Sequence, residues 1–183
     1  MSTRIVRTAR RAERVSATPQ GQTKVRAATA GDVPTLLELF AALADYEQLT
    51  DELHATAEQL QAALFGEHPA AAALLAERDA KPVGYALFFP TFSSFLVTRG
   101  IWLEDLFVLP EHRGAGVGRA LLSAVAARVP DAGGRLEWAA LDWNELALGF
   151  YRGIGARLMD EWTSLRLDGE ALGRLAAESA DRP

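Results

Sequence analysis

Helical and strand-like spacings of apolar residues follow one another along this chain of 183 residues. Either Thr29 or Asp32 can cap a first helix. The apolar residues that follow them recur at intervals of three and four, which predicts a helix with one apolar face. Thr56 and Gln59 have the spacing of a capping box at the start of a second helix. Shorter apolar runs bounded by turn residues predict strands. The predicted strands cover residues 24–28, 72–77, 83–89, 102–108, 135–141 and 163–167, and the later helices cover residues 116–128, 145–153 and 170–176.

The order of these elements predicts an α/β fold. Residues 79–82 separate two apolar runs with turn-forming side chains and favour an antiparallel hairpin. Strands that alternate with helices predict a mixed sheet with helices on both faces. Residues 1–23 lack apolar periodicity and are rich in arginine. We therefore expect a disordered basic tail there, followed by a single folded domain over residues 24–178.

A glycine-rich turn lies between the fourth predicted strand and the helix that follows it. Gly114, Gly116 and Gly118 alternate there. Glycines at a helix start allow backbone N–H groups to surround an anion, which the helix dipole also favours. The dinucleotide-binding pattern requires a glycine at Arg119, and the P-loop requires lysine and Ser/Thr directly after Gly118, so neither pattern matches. The turn therefore predicts a phosphate-bearing ligand of another type.

The pattern Arg-x-x-Gly-x-Gly at residues 113–118 resembles the coenzyme A pyrophosphate loop of the GCN5-related N-acetyltransferases (GNAT). Further segments resemble the spermidine/spermine and diamine/thialysine acetyltransferase branch of that superfamily, over about residues 25 to 176. These segments are 44–47, 65–69, 103–108, 142–145 and 150–156. The resemblance implies a GNAT-like mixed, mostly antiparallel central sheet flanked by helices, with a splayed strand at the acetyl-CoA site. We also expect a homodimer, and the sequence itself leaves the oligomeric state open.

Acetyl-CoA is the co-substrate that this resemblance implies, bound by the glycine turn and by the end of the preceding strand. The backbone N–H of Val108 would polarise the thioester oxygen. Asn144 would contact the coenzyme, and it can also cap the helix that follows it. The implied coenzyme-binding residues are Leu106, Phe107, Val108, Arg113, Gly114, Ala115, Gly116, Val117, Gly118, Arg119, Asn144 and Tyr151.

Acetylation of an amine requires two proton transfers. An alkylammonium group, with a pKa of about 10.4, must lose a proton, and the departing thiolate is stabilised by gaining one. The resemblance places Tyr151 beside the coenzyme sulfur as the general acid, whereas the residues alone also fit an aromatic that packs its helix on the sheet. Glu104 is the candidate base, acting through water, and the alternative is that it only orients the ammonium. Regular strand alternation would place Glu104 and Asp105 on opposite faces of the sheet.

The amine site implied by the resemblance contains carboxylates spaced for a chain of ammonium groups. After Ala156, this chain has a shorter segment than the animal members of the branch, in a region that contributes to amine selection in them. The identity of the amine therefore stays open, and Asp160 is a stand-in for the acidic residues of that region. The candidate substrate-binding residues are Tyr46, Glu47, Glu104, Asp105 and Asp160.

Composition narrows the possible classes of protein. The chain has no cysteine, which excludes disulfides and thiolate metal sites and suits a reducing cytoplasm. The three histidines lack metal-ligand spacing, so we expect no metal. No apolar run reaches the roughly 18 residues of a membrane span, and we expect neither a membrane nor a nucleic-acid partner. The chain has a net charge of −5 despite its basic first 24 residues, which favours a small cationic amine as the partner, although acidity also serves solubility.

These observations together predict an acetyl-CoA-dependent N-acetyltransferase. We expect direct transfer to a primary amine of a small polyamine or diamine, of the spermidine, putrescine or thialysine type. One alternative keeps the chemistry but changes the acceptor to an amino acid, an antibiotic or a protein amine. The other is a non-catalytic acyl-CoA-binding sensor.

Overall fold

The computed structural model describes residues 21–179, which group into two compact units with a boundary between Ala139 and Ala140. The predicted basic tail lies almost entirely outside the described residues. Within the described part of the chain, no helix combines the length and apolar character needed to cross a membrane.

The first unit contains all of the strands and three of the helices that we number here. In chain order they are β1 (Lys24–Ala27), α1 (Val33–Glu47), α2 (Ala57–Phe65), β2 (Ala72–Arg78), β3 (Lys81–Ser93), β4 (Thr98–Val108), α3 (Val117–Ala126) and β5 (Leu136–Glu137). The second unit contains α4 (Glu145–Gly153) and α5 (Gly169–Ala177). The predicted helices are therefore all present, with ends that differ by at most two residues from the sequence-based bounds at α3 and by less at α4 and α5.

The five strands form one sheet in the order β1-β2-β3-β4-β5. The first four are antiparallel neighbours, and β4 pairs with β5 in parallel. The β2–β3 connection is the predicted hairpin, in which Asp79 and Ala80 have positive φ angles of 50° and 59°, as in a two-residue hairpin turn. The mixed, mostly antiparallel sheet flanked by helices is thus confirmed.

Strands β4 and β5 pair over only two positions, Ile101 with Leu136 and Trp102 with Glu137. Strand β4 continues for six further residues to Val108 along β3. The end of β4 that carries the predicted coenzyme-binding residues therefore lies beyond its pairing with β5, as expected for a strand that diverges from its neighbour.

Both faces of the sheet are buried because its strand residues alternate between two layers of helices. Helices α1 and α2 cover one face, where Leu36, Leu64, Leu75, Tyr85 and Phe107 belong to a single apolar core. Helix α3 contacts β1, β2, β3 and β4. Its buried residues include Leu121 and Val125. They cover the strand side chains that point away from α1 and α2, on the other face of the sheet. Residues of α1, β3 and β4 thus pack together in one core on this face of the sheet.

Two predicted strands require correction. The strand predicted over residues 135–141 is only Leu136–Glu137, because its pairing with β4 ends there. The strand predicted over residues 163–167 is wrong, since that segment has no strand structure and its Leu165 is 90% exposed. Alternating apolar residues suggested a strand, but a strand needs a hydrogen-bonded neighbour to be stable, and this segment pairs with none of the described strands.

Candidate active site

A β-bulge in β4 sets the positions of the predicted acidic residues. Leu87 of β3 lies opposite Asp105, whereas the next residue, Phe88, lies opposite Leu103, so the pairing register passes over Glu104. Residues two apart on a regular strand share a face, but across this bulge Leu103 and Asp105 face opposite sides. Trp102, opposite Phe89, shares a face with Asp105, and the Glu104 side chain bonds to Trp102. The expectation that regular alternation separates Glu104 from Asp105 is therefore wrong at this point of the strand.

The Asp105 carboxylate is partly buried on the α1/α2 side of the sheet and accepts a hydrogen bond. The Tyr85 hydroxyl donates to Asp105 Oδ2 at 3.0 Å. Burial raises the pKa of Asp105 to about 6, while the Tyr85 hydrogen bond lowers it and the charges of Glu104 and Glu47 raise it. Burial also raises the pKa of Tyr85 above its usual range, so this hydroxyl stays a donor. Asp105 is therefore ionised at neutral pH and loses its charge in mildly acidic solution.

Two further carboxylates lie within electrostatic reach of Asp105. Glu47 is the last residue of α1, and burial raises its pKa. Glu104 is exposed, and its Oε2 accepts a hydrogen bond of 2.9 Å from Trp102 Nε1. We call Glu47, Glu104 and Asp105 the acidic cluster. Among the residues from 21 to 179, no basic side chain forms a salt bridge with any member of it, so the cluster carries uncompensated negative charge.

The glycine turn before α3 has the conformation that its sequence predicts. Gly114 and Gly116 have φ angles of 73° and 81°, which other residues rarely adopt. A Cβ added at either position would meet no atom within 4 Å, so the outer side of the turn is open. The first backbone N–H groups of α3, from Val117 to Arg119, have no acceptor inside the helix. The turn therefore fits a phosphate-bearing ligand.

Arg113, at the start of this turn, bonds to neighbouring protein groups. Its Nε donates to the Val108 carbonyl oxygen at 2.9 Å. Its guanidinium carbon lies 4.3 Å from the ring centroid of Tyr46 and 5.7 Å from that of Phe107. Arg113 thereby joins the end of β4 to the last turn of α1, which also carries Glu47.

The second unit contains the other predicted site residues. Asn144 caps α4, since its Oδ1 accepts a 3.1 Å hydrogen bond from the Ala147 backbone N–H. Tyr151 is a partly buried residue of α4 whose ring centroid lies 5.3 Å from that of Phe150. Asp160 is exposed in a turn at residues 160–161, beyond the end of α4. The capping alternative for Asn144 is thus confirmed, and the coenzyme contacts and catalytic role expected in this unit stay predictions.

Sequence reasoning missed Tyr85 and the contacts of Arg113. A signal for Tyr85 was present, because a tyrosine within the apolar run 83–89 requires a partner for its hydroxyl once that strand is buried. The partner itself was not evident, because only the pairing register of β3 and β4 shows that Asp105 lies diagonally across from Tyr85. No short pattern in the sequence signals the stacking of Arg113 on Tyr46, since the two residues are far apart in the chain.

Comparisons with known proteins agree with this geometry. The sequence model of the acetyltransferase (GNAT) family matches residues 35–156. A thialysine N-epsilon-acetyltransferase of Sus scrofa is 37% identical to the chain over 84% of this chain and 97% of that protein. An L-ornithine N5-acetyltransferase of Arabidopsis thaliana is 31% identical over 81% of this chain and 86% of that protein.

A solved structure supports the same conclusion. The integron cassette protein from V. cholerae matches with a TM-score of 0.70 and 27% identity, covering 84% of this chain and 97% of that one. The chain belongs to the GNAT acetyltransferase family and is an N-acetyltransferase. Family membership implies acetyl-CoA as the co-substrate, and the open glycine turn at the start of α3 fits its phosphates.

Proposed function

We propose that this enzyme transfers an acetyl group from acetyl-CoA directly to a primary amine of a small molecule with more than one cationic group. Diamines, polyamines and basic amino acids of the thialysine or ornithine type belong to this class. The observation that carries the proposal is the acidic cluster. Its three carboxylates lie near one another at the junction of α1 and β4, and no basic side chain of the described residues neutralises them.

Other acidic residues of the first unit form salt bridges, in contrast to the acidic cluster. Asp32 and Glu77 both pair with Arg26 at 2.7 Å, and Asp131 pairs with Arg99 at 2.8 Å. Partly buried carboxylates are costly unless they are paired, so Glu47 and Asp105, which form no salt bridge, have a structural cost that a cationic ligand would offset. The thialysine and ornithine acetyltransferases among the relatives are named for amines with such charges, which supports the same class here.

The proposed acetyl-CoA-binding residues lie in the glycine turn and the start of α3, from Arg113 to Arg119. Leu106 to Val108, Asn144 and Tyr151 complete this set. The bound coenzyme supplies an activated thioester. The turn holds phosphate oxygens through backbone N–H groups, and the Val108 N–H donates to the carbonyl oxygen of the acetyl group. These groups orient the acetyl carbon toward the amine.

On the acceptor side, Glu104 and Tyr151 have the two proton-transfer roles. Glu104 accepts the ammonium proton, through water, before nitrogen attacks the acetyl carbon. Tyr151 supplies a proton to the sulfur as the carbon–sulfur bond breaks. Glu47 and Asp105 bind a second ammonium group and so select an acceptor with more than one charge. Tyr46 forms a side of this site beside Arg113, and Asp160 is proposed as a further amine contact.

A thiol-release assay tests this proposal. The purified chain is given acetyl-CoA with thialysine, lysine, ornithine, putrescine or spermidine, and in parallel with a monoamine, an aminoglycoside antibiotic or a lysine-containing peptide, and the acetylated product is identified by mass spectrometry. The proposal predicts release with at least one of these amines and a lower kcat/KM for a monoamine of equal length. Release only with an antibiotic or peptide amine, or no turnover with any amine, contradicts it. We also propose that the enzyme is a homodimer and works in the cytoplasm. Sedimentation of the purified chain tests the dimer.

A further inference from the structure

We propose that Tyr85 is a positioning residue of the amine site, which holds the Asp105 carboxylate in a fixed orientation and in its ionised form. The proposal rests on the proposed function, since Asp105 matters to catalysis only if it binds a cationic amine. Tyr85 itself contacts neither substrate in this account. Its effect on the reaction passes through one hydrogen bond to Asp105.

The position of the Tyr85 hydroxyl is fixed by its surroundings. The residue is 0% exposed. Its ring centroid lies 4.9 Å from that of Phe40 on α1 and 6.3 Å from that of Phe107 on β4. Close packing on both sides leaves the ring little freedom to rotate, so the hydroxyl stays directed at Asp105 Oδ2, 3.0 Å away.

This contact follows from the regular register of β3 and β4 between the bulge at Glu104 and the end of β4. Tyr85 lies opposite Phe107, and Asp105 lies opposite Leu87, which is two residues along β3 on the same face as Tyr85. The pair is therefore a diagonal cross-strand contact on one face of the sheet. The bulge changes the face of Leu103 relative to Asp105, whereas Asp105 and Phe107 stay on the face of Tyr85. The register and the tyrosine together determine where this carboxylate points.

The other groups near Asp105 oppose its ionisation. Glu47 approaches from α1 and Glu104 from the same strand, and both are acidic. The nearby cation of the following loop, Arg113, is bonded to the Val108 carbonyl oxygen and stacked on Tyr46. From β3, Tyr85 is the group that stabilises the charged form, because a hydroxyl that donates to a carboxylate lowers its pKa.

Removal of that hydroxyl therefore moves the titration of Asp105 toward neutral pH. In the wild-type chain the pKa of Asp105 is about 6, so the carboxylate is charged at pH 7. Without the hydrogen bond, the midpoint rises by about one unit, and a large fraction of Asp105 is neutral at pH 7. Amine binding is then weakened at neutral pH and recovers in alkaline solution.

The test compares the wild-type chain with Tyr85→Phe, which keeps the ring, and Phe40→Leu, which disturbs the packing but keeps the hydroxyl. Carbon NMR of the Asp105 carboxyl group gives its titration midpoint in each protein. We expect a higher midpoint in Tyr85→Phe and a smaller change in Phe40→Leu. An unchanged midpoint in Tyr85→Phe overturns the proposal. If this variant does not fold, the Tyr85 ring carbon that bears oxygen is followed in the wild type. The chemical shift of this carbon should change with pH at the titration midpoint of Asp105. A chemical shift that does not change at that midpoint overturns the proposal.

Kinetics then connect the hydrogen bond to the reaction. Tyr85→Phe should raise the amine KM about twofold at pH 7 and about fivefold at pH 6, with little change in the KM for acetyl-CoA, and the amine KM should approach the wild-type value near pH 9. In an Asp105→Asn background, Tyr85→Phe should add little, since both changes act on one interaction. Additive effects on the amine KM, or a defect independent of pH, contradict a role through Asp105. If the wild type acetylates no amine, the proposed function fails, and the NMR titration still tests the Tyr85–Asp105 interaction.

Discussion

The guanidinium carbon of Arg113 lies 4.3 Å from the ring centroid of Tyr46, and its Nε donates to the Val108 carbonyl oxygen. One side chain thus links three segments: the glycine turn before α3, the end of β4 and the last turn of α1. In our account the first two bind acetyl-CoA, and the third carries Glu47 of the amine site. The binding of the two substrates is therefore structurally connected within the first unit.

Loss of the Tyr46 ring should weaken coenzyme binding, although Tyr46 belongs to the amine side of the site. Tyr46→Leu removes a cation–π contact worth about 0.5–2 kcal/mol and releases Arg113 at the start of the turn. Calorimetry with coenzyme A should show binding weaker by about 3- to 10-fold. Tyr46→Phe is the matched control, because it keeps the stacking, and it should retain more affinity than Tyr46→Leu does. Equal affinity in the leucine and phenylalanine variants would show that the stacking does not stabilise the turn.

A negative charge at Gly118, the second residue of α3, should interfere with phosphate binding. Gly118→Asp adds a carboxylate beside the helix N-terminus, where it repels pyrophosphate, and should weaken coenzyme binding by at least about 2 kcal/mol. Gly118→Asn has nearly the same shape without the charge and should lose clearly less affinity. Both dissociation constants are measured by calorimetry on folded protein. Equal losses in the two variants would indicate crowding, and unchanged affinity in both would exclude this turn as the coenzyme site.

Tyr151→Phe keeps an aromatic ring on α4 and removes only the hydroxyl proton. If Tyr151 is the general acid, kcat should fall about 100-fold or more, and coenzyme affinity should stay near that of the wild type. Steady-state kinetics and calorimetry on the same preparation separate these two quantities. Near-normal kcat would leave Tyr151 as a packing residue beside Phe150.

The buried charge of Asp105 should reduce stability at neutral pH. The pKa of Asp105 is about 6 in the folded chain, against 3.8 as the ordinary value, so the folded state binds more protons between these values. Stability then falls as pH rises through this range. Asp105→Asn removes the effect and should raise the free energy of unfolding by up to about 3 kcal/mol at pH 7.5, and by roughly half as much at pH 5.

Urea unfolding at the two pH values measures this difference, with the exposed Asp45→Asn as the matched control on α1. The amine KM of Asp105→Asn should rise at the same time, so the site would gain stability while losing function. A variant less stable than the wild type at pH 7.5 would contradict the assigned electrostatic cost of Asp105.

Much of this arrangement was predictable from local patterns. The glycines at 114 and 116 specified the turn before α3, and the apolar spacing of α1 and the capping box at Thr56 specified the helices on one face. Each of these features depends on residues close together in the chain, so a sequence pattern contains the necessary information.

The remaining features depend on contacts distant in sequence. The bulge at Glu104 is one extra residue in an otherwise strand-like run, and only the β3 register reveals it. The hydrogen bond between Tyr85 and Asp105 follows from that register. The short β5 and the unpaired segment 163–167 show the same limit, because alternation alone does not identify a neighbouring strand.

The pH profile of Glu104→Gln tests most directly whether the acidic cluster takes part in the transfer reaction. Glutamine keeps an oxygen that accepts from Trp102 Nε1, so the local geometry is preserved while the basic group is lost. Glu47→Gln is the comparison, since Glu47 should hold a distal ammonium and mainly affect the amine KM. With Glu104 as the base, kcat of Glu104→Gln falls roughly 10- to 1000-fold near neutral pH and recovers toward high pH, where free amine is more abundant. A change in the amine KM alone, without recovery at high pH, would make Glu104 an orienting group and contradict its role as the base.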